Sequence, residues 1–283
     1  MPVGGHIKVS ILKTWTLSSA ITWFTLFAGI SHYGDIRVED NKLDIDGNGK
    51  KGLYRRTTEL KLKNPKLKVI LGIGGAMASN GSLFSDLCRD EKKTEQFIKS
   101  SMWLIKEYNF DGLDIDWHPP YPEPYEAKIF TNFLKRTKDA LKKDGYLLSA
   151  SVRSYPDDSG YDGKSMNEIL DWITVKSYDF YGPWSGYTGQ NNALYSSSRE
   201  YIWHKDHFNM AASAKNWMNT GITRKKMVIS VAFYGWSFNL TDPRDHGLLS
   251  PARGPGVDGG FVRWSEICLN YGNYTTVWDD EQK

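Results

Sequence analysis

The feature that most constrains this chain is a repeated exchange of short β-branched, aromatic runs for longer stretches whose apolar residues recur at helical spacing. Residues 7–15 and 21–30 are the first two strand-like runs, and 67–72, 110–118, 146–152, 172–178 and 227–234 follow. Between them lie helical stretches at 53–63, 82–89, 93–108, 125–143, 166–170 and 207–219. The stretch 93–108 places Phe97, Ile98, Met102, Ile105 and Tyr108 on one stripe, and 125–143 does the same with Phe130, Phe133, Leu134, Thr137 and Leu141. Such alternation predicts an α/β fold with a parallel sheet. Seven such units over about 235 residues favour a TIM (β/α)8-type barrel as the predicted architecture.

Within that frame one strand stands out. Phe110-Asp111-Gly112-Leu113-Asp114-Ile115-Asp116-Trp117-His118 alternates with period two, which sends Asp114, Asp116 and His118 to one face and Leu113, Ile115 and Trp117 to the other. Pro119-Pro120 cannot continue a ladder and puts His118 at the strand's C-terminal end. A row of ionisable groups inside a fold needs partners or a ligand, because burying it bare is costly. Functional residues of barrels sit at the C-terminal ends of strands, where Tyr178-Asp179 and Tyr234 are also expected. Acids and phenols distant in sequence are thereby predicted to meet at one mouth.

Other features exclude more than they assign. The formal charge of +3 over 283 residues offers no electrostatic footprint for nucleic acid. The apolar window 21–30 is too short to span a bilayer, and 1–6 carries no signal-peptide pattern. Cys88 and Cys268 make no disulfide framework. Asp44-Ile45-Asp46-Gly47-Asn48-Gly49 imitates a calcium loop but has Arg55 at its twelfth position, so it reads as a turn. Gly72-Ile73-Gly74-Gly75 fits neither nucleotide-binding glycine spacing. An Asp116-x-His118 pair with His204 and His207 is the metal-site alternative, a common and usually unmetallated pattern. The chain is 14% aromatic, with 11 Trp and 16 Tyr, an excess suited to gripping sugar faces; Trp203, Trp217 and Trp264 read as packing residues.

From about residue 53 to 260 these motifs resemble glycoside hydrolase family 18, the chitinases and chitinase-like lectins. Asn64-Pro65-Lys66-Leu67-Lys68 leading into Gly72-Ile73-Gly74-Gly75 is similar to that family's third strand, and Phe110 to Trp117 to its fourth-strand signature. Tyr178-Asp179-Phe180-Tyr181-Gly182 resembles the sixth-strand segment, Tyr234-Gly235 with Ser237-Phe238 the seventh. Gly254-Pro255-Gly256 resembles the start of a small α+β insertion. The resemblance stops before an eighth strand and implies a barrel over 1–237 followed by a partial insertion over 238–283.

It also implies a chemistry that this chain alters. In active members a Glu ends the fourth strand and protonates the glycosidic oxygen, while the substrate's own N-acetyl group attacks the anomeric carbon. Here that position is His118. A positioned general acid contributes 10²- to 10⁴-fold. An imidazolium beside Asp116 can donate a proton, yet its reach and direction differ from a carboxyl, and about 1 Å of misplacement costs 10²-fold. Ala76-Met77, Lys176 and Trp236 replace an aromatic, a Met and an Arg of active relatives.

The resulting expectation is a non-hydrolytic, chitinase-like protein that binds chitin or N-acetylglucosamine oligosaccharides. The alternative is a weak chitinase using His118 as its acid. Asp114, Asp116, Tyr178 and Asp179 fall on the catalytic positions; Trp117, Tyr178, Asp179, Tyr181, Trp184 and Tyr234 are the expected sugar contacts. The resemblance implies no cofactor or metal, no nucleic-acid or membrane partner, a monomer, and an extracellular, secreted protein.

Overall fold

The computed structural model describes residues 23–75, 82–117, 124–156, 160–270 and 274–283. The expected strand at 7–15 and the residues His118, Ala76 and Met77 lie outside them. Its centre is a seven-stranded sheet in the order β2-β1-β3-β4-β5-β6-β7. In chain order β1 is Trp23–Ile30 and β2 Ile36–Val38, a short antiparallel return on β1. Helix α1 (Leu53–Thr58) precedes β3 (Lys68–Gly74). Helices α2 (Leu83–Arg89) and α3 (Glu91–Tyr108) lead to β4 (Gly112–Asp116), and α4 (Pro124–Lys142) to β5 (Leu147–Val152). Helix α5 (Gly163–Ile169) precedes β6 (Trp172–Lys176); α6 (Ile202–His207) and α7 (Met210–Asn219) precede β7 (Met227–Ser230). From β1 through β3 to β7 every pairing is parallel, the alternating arrangement of a (β/α)8-type barrel.

Side-chain alternation explains how the sheet is covered on one face and polar on the other. Val69, Leu71 and Ile73, then Leu113 and Ile115, Leu148, Ala150 and Val152, and Ile173 and Val175 are fully buried and belong to one core with Phe97, Ile105, Phe130, Phe133 and Leu134 of α3 and α4. The intervening residues Asp114, Asp116, Ser149, Ser151, Thr174 and Lys176 share the other face, because parallel register sets Asp114 beside Ser149 and Asp116 beside Ser151. The helix ends follow local chemistry. Asp90 caps α3 by accepting from the amides of Lys92 and Lys93, and Asn109 closes it in the left-handed region at φ 59°.

Several expected boundaries move for physical reasons. The helix expected over 207–219 starts at Met210, because Asn209 caps α7, accepting from Ala212 N at 2.8 Å. The strand expected over 172–178 stops at Lys176, so Tyr178 and Asp179 lie on the loop beyond it. The strand expected over 227–234 also divides: β8 (Tyr234–Trp236) leaves the sheet to pair with β11 (Phe261–Arg263). Before β11 come β9 (Phe238–Leu240) and β10 (Ala252–Pro255), an antiparallel pair, and after it α8 (Trp264–Asn270). The calcium-like segment is a turn closed between Gly47 and Lys50, and Asp46 accepts from Gly52 N and Arg55 Nε.

Candidate functional site

Three carboxylates on or just past the strand ends of β4 and β6 define the mouth, and each has a different environment. Asp111, the first acid of the β4 motif, is not among them. It lies at the opposite end of the strand, where it accepts from Val69 N at 2.8 Å and pairs with Lys61 and Lys68.

Asp114 is the innermost, 4% exposed. The Ser149 and Ser151 hydroxyls donate to its two oxygens at 2.6 and 2.7 Å. Burial outweighs those bonds and, helped by the nearby Asp116, pushes its carboxyl up to about 6. Asp116 is equally buried, and its Oδ1 accepts from Lys176 Nζ at 2.6 Å. Lys176 thus reaches from the end of β6, across β5, to the end of β4.

Asp179 lies outermost and exposed, with its backbone in the left-handed region at φ 59°. Asp tolerates that conformation at a cost on the order of 1 kcal/mol. Asn191 holds it there: its Oδ1 accepts from Asp179 N and its Nδ2 donates to Tyr234 O, both at 2.9 Å. The Tyr234 hydroxyl and the Trp236 indole N–H donate to Asp179 Oδ1 at 2.6 and 2.9 Å. Tyr178 meets Tyr234 edge-on at 6.1 Å, and Trp236 meets Trp184 edge-on at 5.0 Å. Trp184 is 60% exposed, so a large ring face is open beside an anchored carboxylate. Burial first, then the neighbouring acids, raises the Tyr178 phenol; burial first and the Asp179 bond second raise that of Tyr234, so both remain protonated donors.

The structure thus brings together Asp114, Asp116, Tyr178, Asp179, Trp184 and Tyr234 of the expected set. Two expected sugar contacts are corrected. Trp117 is fully buried on the opposite face of β4, stacked on Phe84 at 5.8 Å and edge-on to Phe130 at 5.0 Å. Tyr181 is also fully buried, and its hydroxyl donates to Glu200 at 2.6 Å. Neither offers a ring to a ligand. Trp203 and Trp264, read as packing residues, are exposed, whereas Trp217 is buried with its indole N–H on Arg153 O.

Residues that the sequence did not single out include Ser149 and Ser151, which a period-two register opposite Asp114 and Asp116 points to, and Asn191, which no local signal marks. His204 and His207 are engaged with aromatic rings of Phe208 and Trp203. Among the described residues no group of three or more His, Cys, Asp or Glu is placed to hold a metal, and no helix is long and apolar enough to cross a membrane. Cys88 and Cys268 are not bonded to one another.

Comparison with known proteins gives the family and the fold. A family model described as glycosyl hydrolases family 18 matches residues 12–283. Human chitinase-3-like protein 2 is 31% identical over 253 residues, covering 83% of this chain and 64% of that protein. The chain therefore spans less than two thirds of that curated relative's length. The Ostrinia furnacalis Group IV chitinase solved with allosamidin superposes with a TM-score of 0.84 at 29% identity, over 93% of this chain and 74% of that one. Human YKL-39, described as a pseudo-chitinase with retained chitooligosaccharide binding properties, superposes with a TM-score of 0.80 at 28% identity, over 92% and 73%.

Proposed function

The chain belongs to glycosyl hydrolases family 18, and from that premise we propose that it is a non-hydrolytic, chitinase-like protein that binds chitin or N-acetylglucosamine oligosaccharides at the sheet's mouth. The observation that carries this reading is the cluster around Asp179. An acceptor fixed by Tyr234 and Trp236 sits beside the open ring of Trp184, with the Tyr178 phenol at its edge. Apolar ring faces with a few fixed polar groups suit sugars, whose axial C–H faces stack and whose hydroxyls bond at the rim. The retained chitooligosaccharide binding described for YKL-39 supports the same reading.

Absence of hydrolysis rests on the sequence. His118 stands where the resemblance expects the proton-donating Glu, and a site without that donor forgoes about 3 to 5 kcal/mol of barrier lowering. Secretion, a monomeric state and the division into 1–237 and 238–283 belong to this proposal.

The test pairs calorimetric titration with a hydrolysis assay, both on N-acetylglucosamine oligomers. Saturable heat without turnover is expected for the wild type, and no heat at millimolar ligand would sink the proposal. His118→Glu is expected to remain far below normal chitinase rates, because Lys176 still engages Asp116. Wild-type turnover that vanishes in His118→Ala would instead favour a weak chitinase with His118 as acid.

A further inference from the structure

The end of the sheet opposite the mouth carries a charge of its own. The segments that enter β3 to β7 there are residues 61–68, 106–111, 142–146, 168–171 and 224–226, and together they hold ten Lys and Arg against five Asp and Glu. That excess is larger than the formal +3 of the whole chain, so the rest of the chain is net negative and the small total hides a separation of charge by end. Contacts join the segments into one face. Lys61 and Lys68 meet on Asp111, Lys61 also donates to Asn109 O, and Lys106 pairs with Asp144. A cleft beside β5 is lined in common by Lys142, Tyr146, Asp171 and Lys226. Four of the five acids are committed within the protein: Glu107 to Arg55, Asp111 and Asp144 as above, and Asp171 to Lys138. By contrast Lys63, Lys66, Lys142, Lys143, Arg224 and Lys225 are exposed, and none forms an ion pair among the described residues.

We propose that this basic face docks on an anionic lipid surface, with the mouth turned away from it. Three features select that partner. Neighbouring strands lie about 4.8 Å apart, so cations at the starts of five of them spread over roughly 20 Å of a face rather than along one groove, which suits a plane of headgroups. Nine of the ten cations are lysines, point charges that follow a surface potential, whereas the planar fork of arginine is what picks out single sulfate or phosphate groups. Leu62, at the end of the short 3-10 turn Glu59–Leu62, is 83% exposed between Lys61 and Lys63. An apolar side chain raised among ammoniums is costly in water and favourable at a headgroup boundary, where the leucine meets acyl chains and the lysines meet anionic lipid. The inference is independent of the glycan-binding reading and departs from the absence of a membrane partner that the resemblance implied.

The test is co-sedimentation of the purified protein with vesicles of phosphatidylcholine alone and of phosphatidylcholine mixed with phosphatidylserine. Wild type is expected to partition onto the mixed vesicles at low salt, to lose at least about tenfold at high salt, and to ignore pure phosphatidylcholine. Lys63→Gln with Lys66→Gln, and separately Lys142→Gln with Lys143→Gln, are each expected to lower the partition coefficient about tenfold. Lys92→Gln with Lys93→Gln removes the same charge at the far end of α3 and is expected to change it by less than about twofold. Leu62→Ser weakens binding several-fold and leaves its salt dependence as it was, because no charge changes. All these positions are exposed apart from the half-buried Lys93, so native urea midpoints are expected and are measured alongside. No binding to the mixed vesicles at low salt, equal binding to both vesicle types, or equal losses in the control and the two base pairs of lysines overturns the inference. Tighter binding to a sulfated polysaccharide than to vesicles, with Leu62→Ser without effect, assigns the face to a linear polyanion and overturns it as well. Glycan titration at the mouth is unaffected by these variants, so the two readings stand or fall separately.

Discussion

Asp114 offers a titration whose sign and size follow from its surroundings. Burial is the main cause that lifts its carboxyl from 3.8 to about 6, with repulsion from Asp116 added; the Ser149 and Ser151 hydroxyls and the Lys176 charge pull downward without prevailing. The folded protein therefore holds this proton more tightly than the unfolded chain does. Between about pH 4 and pH 6 the native state binds more protons than the unfolded state, so the contribution of Asp114 to stability falls as pH rises, reaching its greatest cost above about pH 6. A shift of roughly two units at 1.36 kcal/mol per unit amounts to about 3 kcal/mol. Solvent takes little of that away at 4% exposure. The perturbation is Asp114→Asn, which removes the titration and keeps one carbonyl oxygen for a serine hydroxyl. Urea unfolding of both proteins at steps from about pH 4 to 7.5 gives a stability difference in which shared titrating groups cancel. The variant is expected to gain on the wild type by about 3 kcal/mol across that window. Parallel curves, or a difference growing toward acid, would refute the assignment of a buried, proton-retaining carboxyl.

Three further expectations concern the parts that hold the mouth in place. Gly74 sits at φ 111°, and a Cβ there would lie 2.2 Å from Asp116 O, so Gly74→Ala is expected to cost about 2 to 4 kcal/mol in urea unfolding. A native midpoint would contradict the close approach of β3 to β4. Tyr234→Phe deletes the 2.6 Å bond to Asp179 and is expected to weaken chitooligosaccharide binding by about tenfold in calorimetry; an unchanged affinity would count against Asp179 as a ligand acceptor. Glu281 accepts from the Ser197 and Ser198 hydroxyls and from Ser198 N, each at 2.7 Å, and the Ser197 and Ser198 bonds hold its carboxyl down to about 2. Its contribution is present above the ordinary carboxylate range and lost as pH falls toward 2. The amides of Leu194 and Tyr195, bonded to Gln282 O, should then lose exchange protection in acid once intrinsic rates are corrected for; constant protection would dismiss the link.

What was legible in the sequence was whatever depends on a local period. The alternation in β4 assigns Leu113 and Ile115 to the core and Asp114 and Asp116 to the mouth, and the structure keeps that division. The same alternation already placed Trp117 with the core, and only its nearness to the acids argued for sugar contact; its stack on Phe84 decides against that. Tyr181 went astray differently, because its burial depends on Glu200, a partner 19 residues away. The division of the last parallel strand was hidden for a related reason. Tyr234–Trp236 leaves the sheet for Phe261–Arg263, which no local pattern announces. Lys176 was visible as an unusual residue, but its meaning was not, since the ion pair joins strands that are not neighbours in the sheet.

The three acids of the mouth differ in what they have left to offer a ligand. Asp114 has both oxygens engaged by serines and holds its proton up to about pH 6. Asp116 is tied to an ammonium, and drawing it toward a reacting atom would mean parting a desolvated pair, whose rupture typically costs 3 to 5 kcal/mol. That is comparable with what a general acid contributes, so the pair alone offsets much of the barrier lowering such a site supplies. Asp179 differs in that its two side-chain donors converge on Oδ1, leaving Oδ2 without a hydrogen bond among the described residues. Its strained backbone is held by Asn191, so that oxygen is oriented before any ligand arrives. A fixed acceptor beside open rings stabilises a bound sugar and its transition state alike, and interactions of that uniform kind strengthen binding without raising turnover. On the proposed glycan-binding reading, Asp179 is therefore the carboxylate with an oxygen left for a ligand, while Asp114 and Asp116 are engaged within the protein.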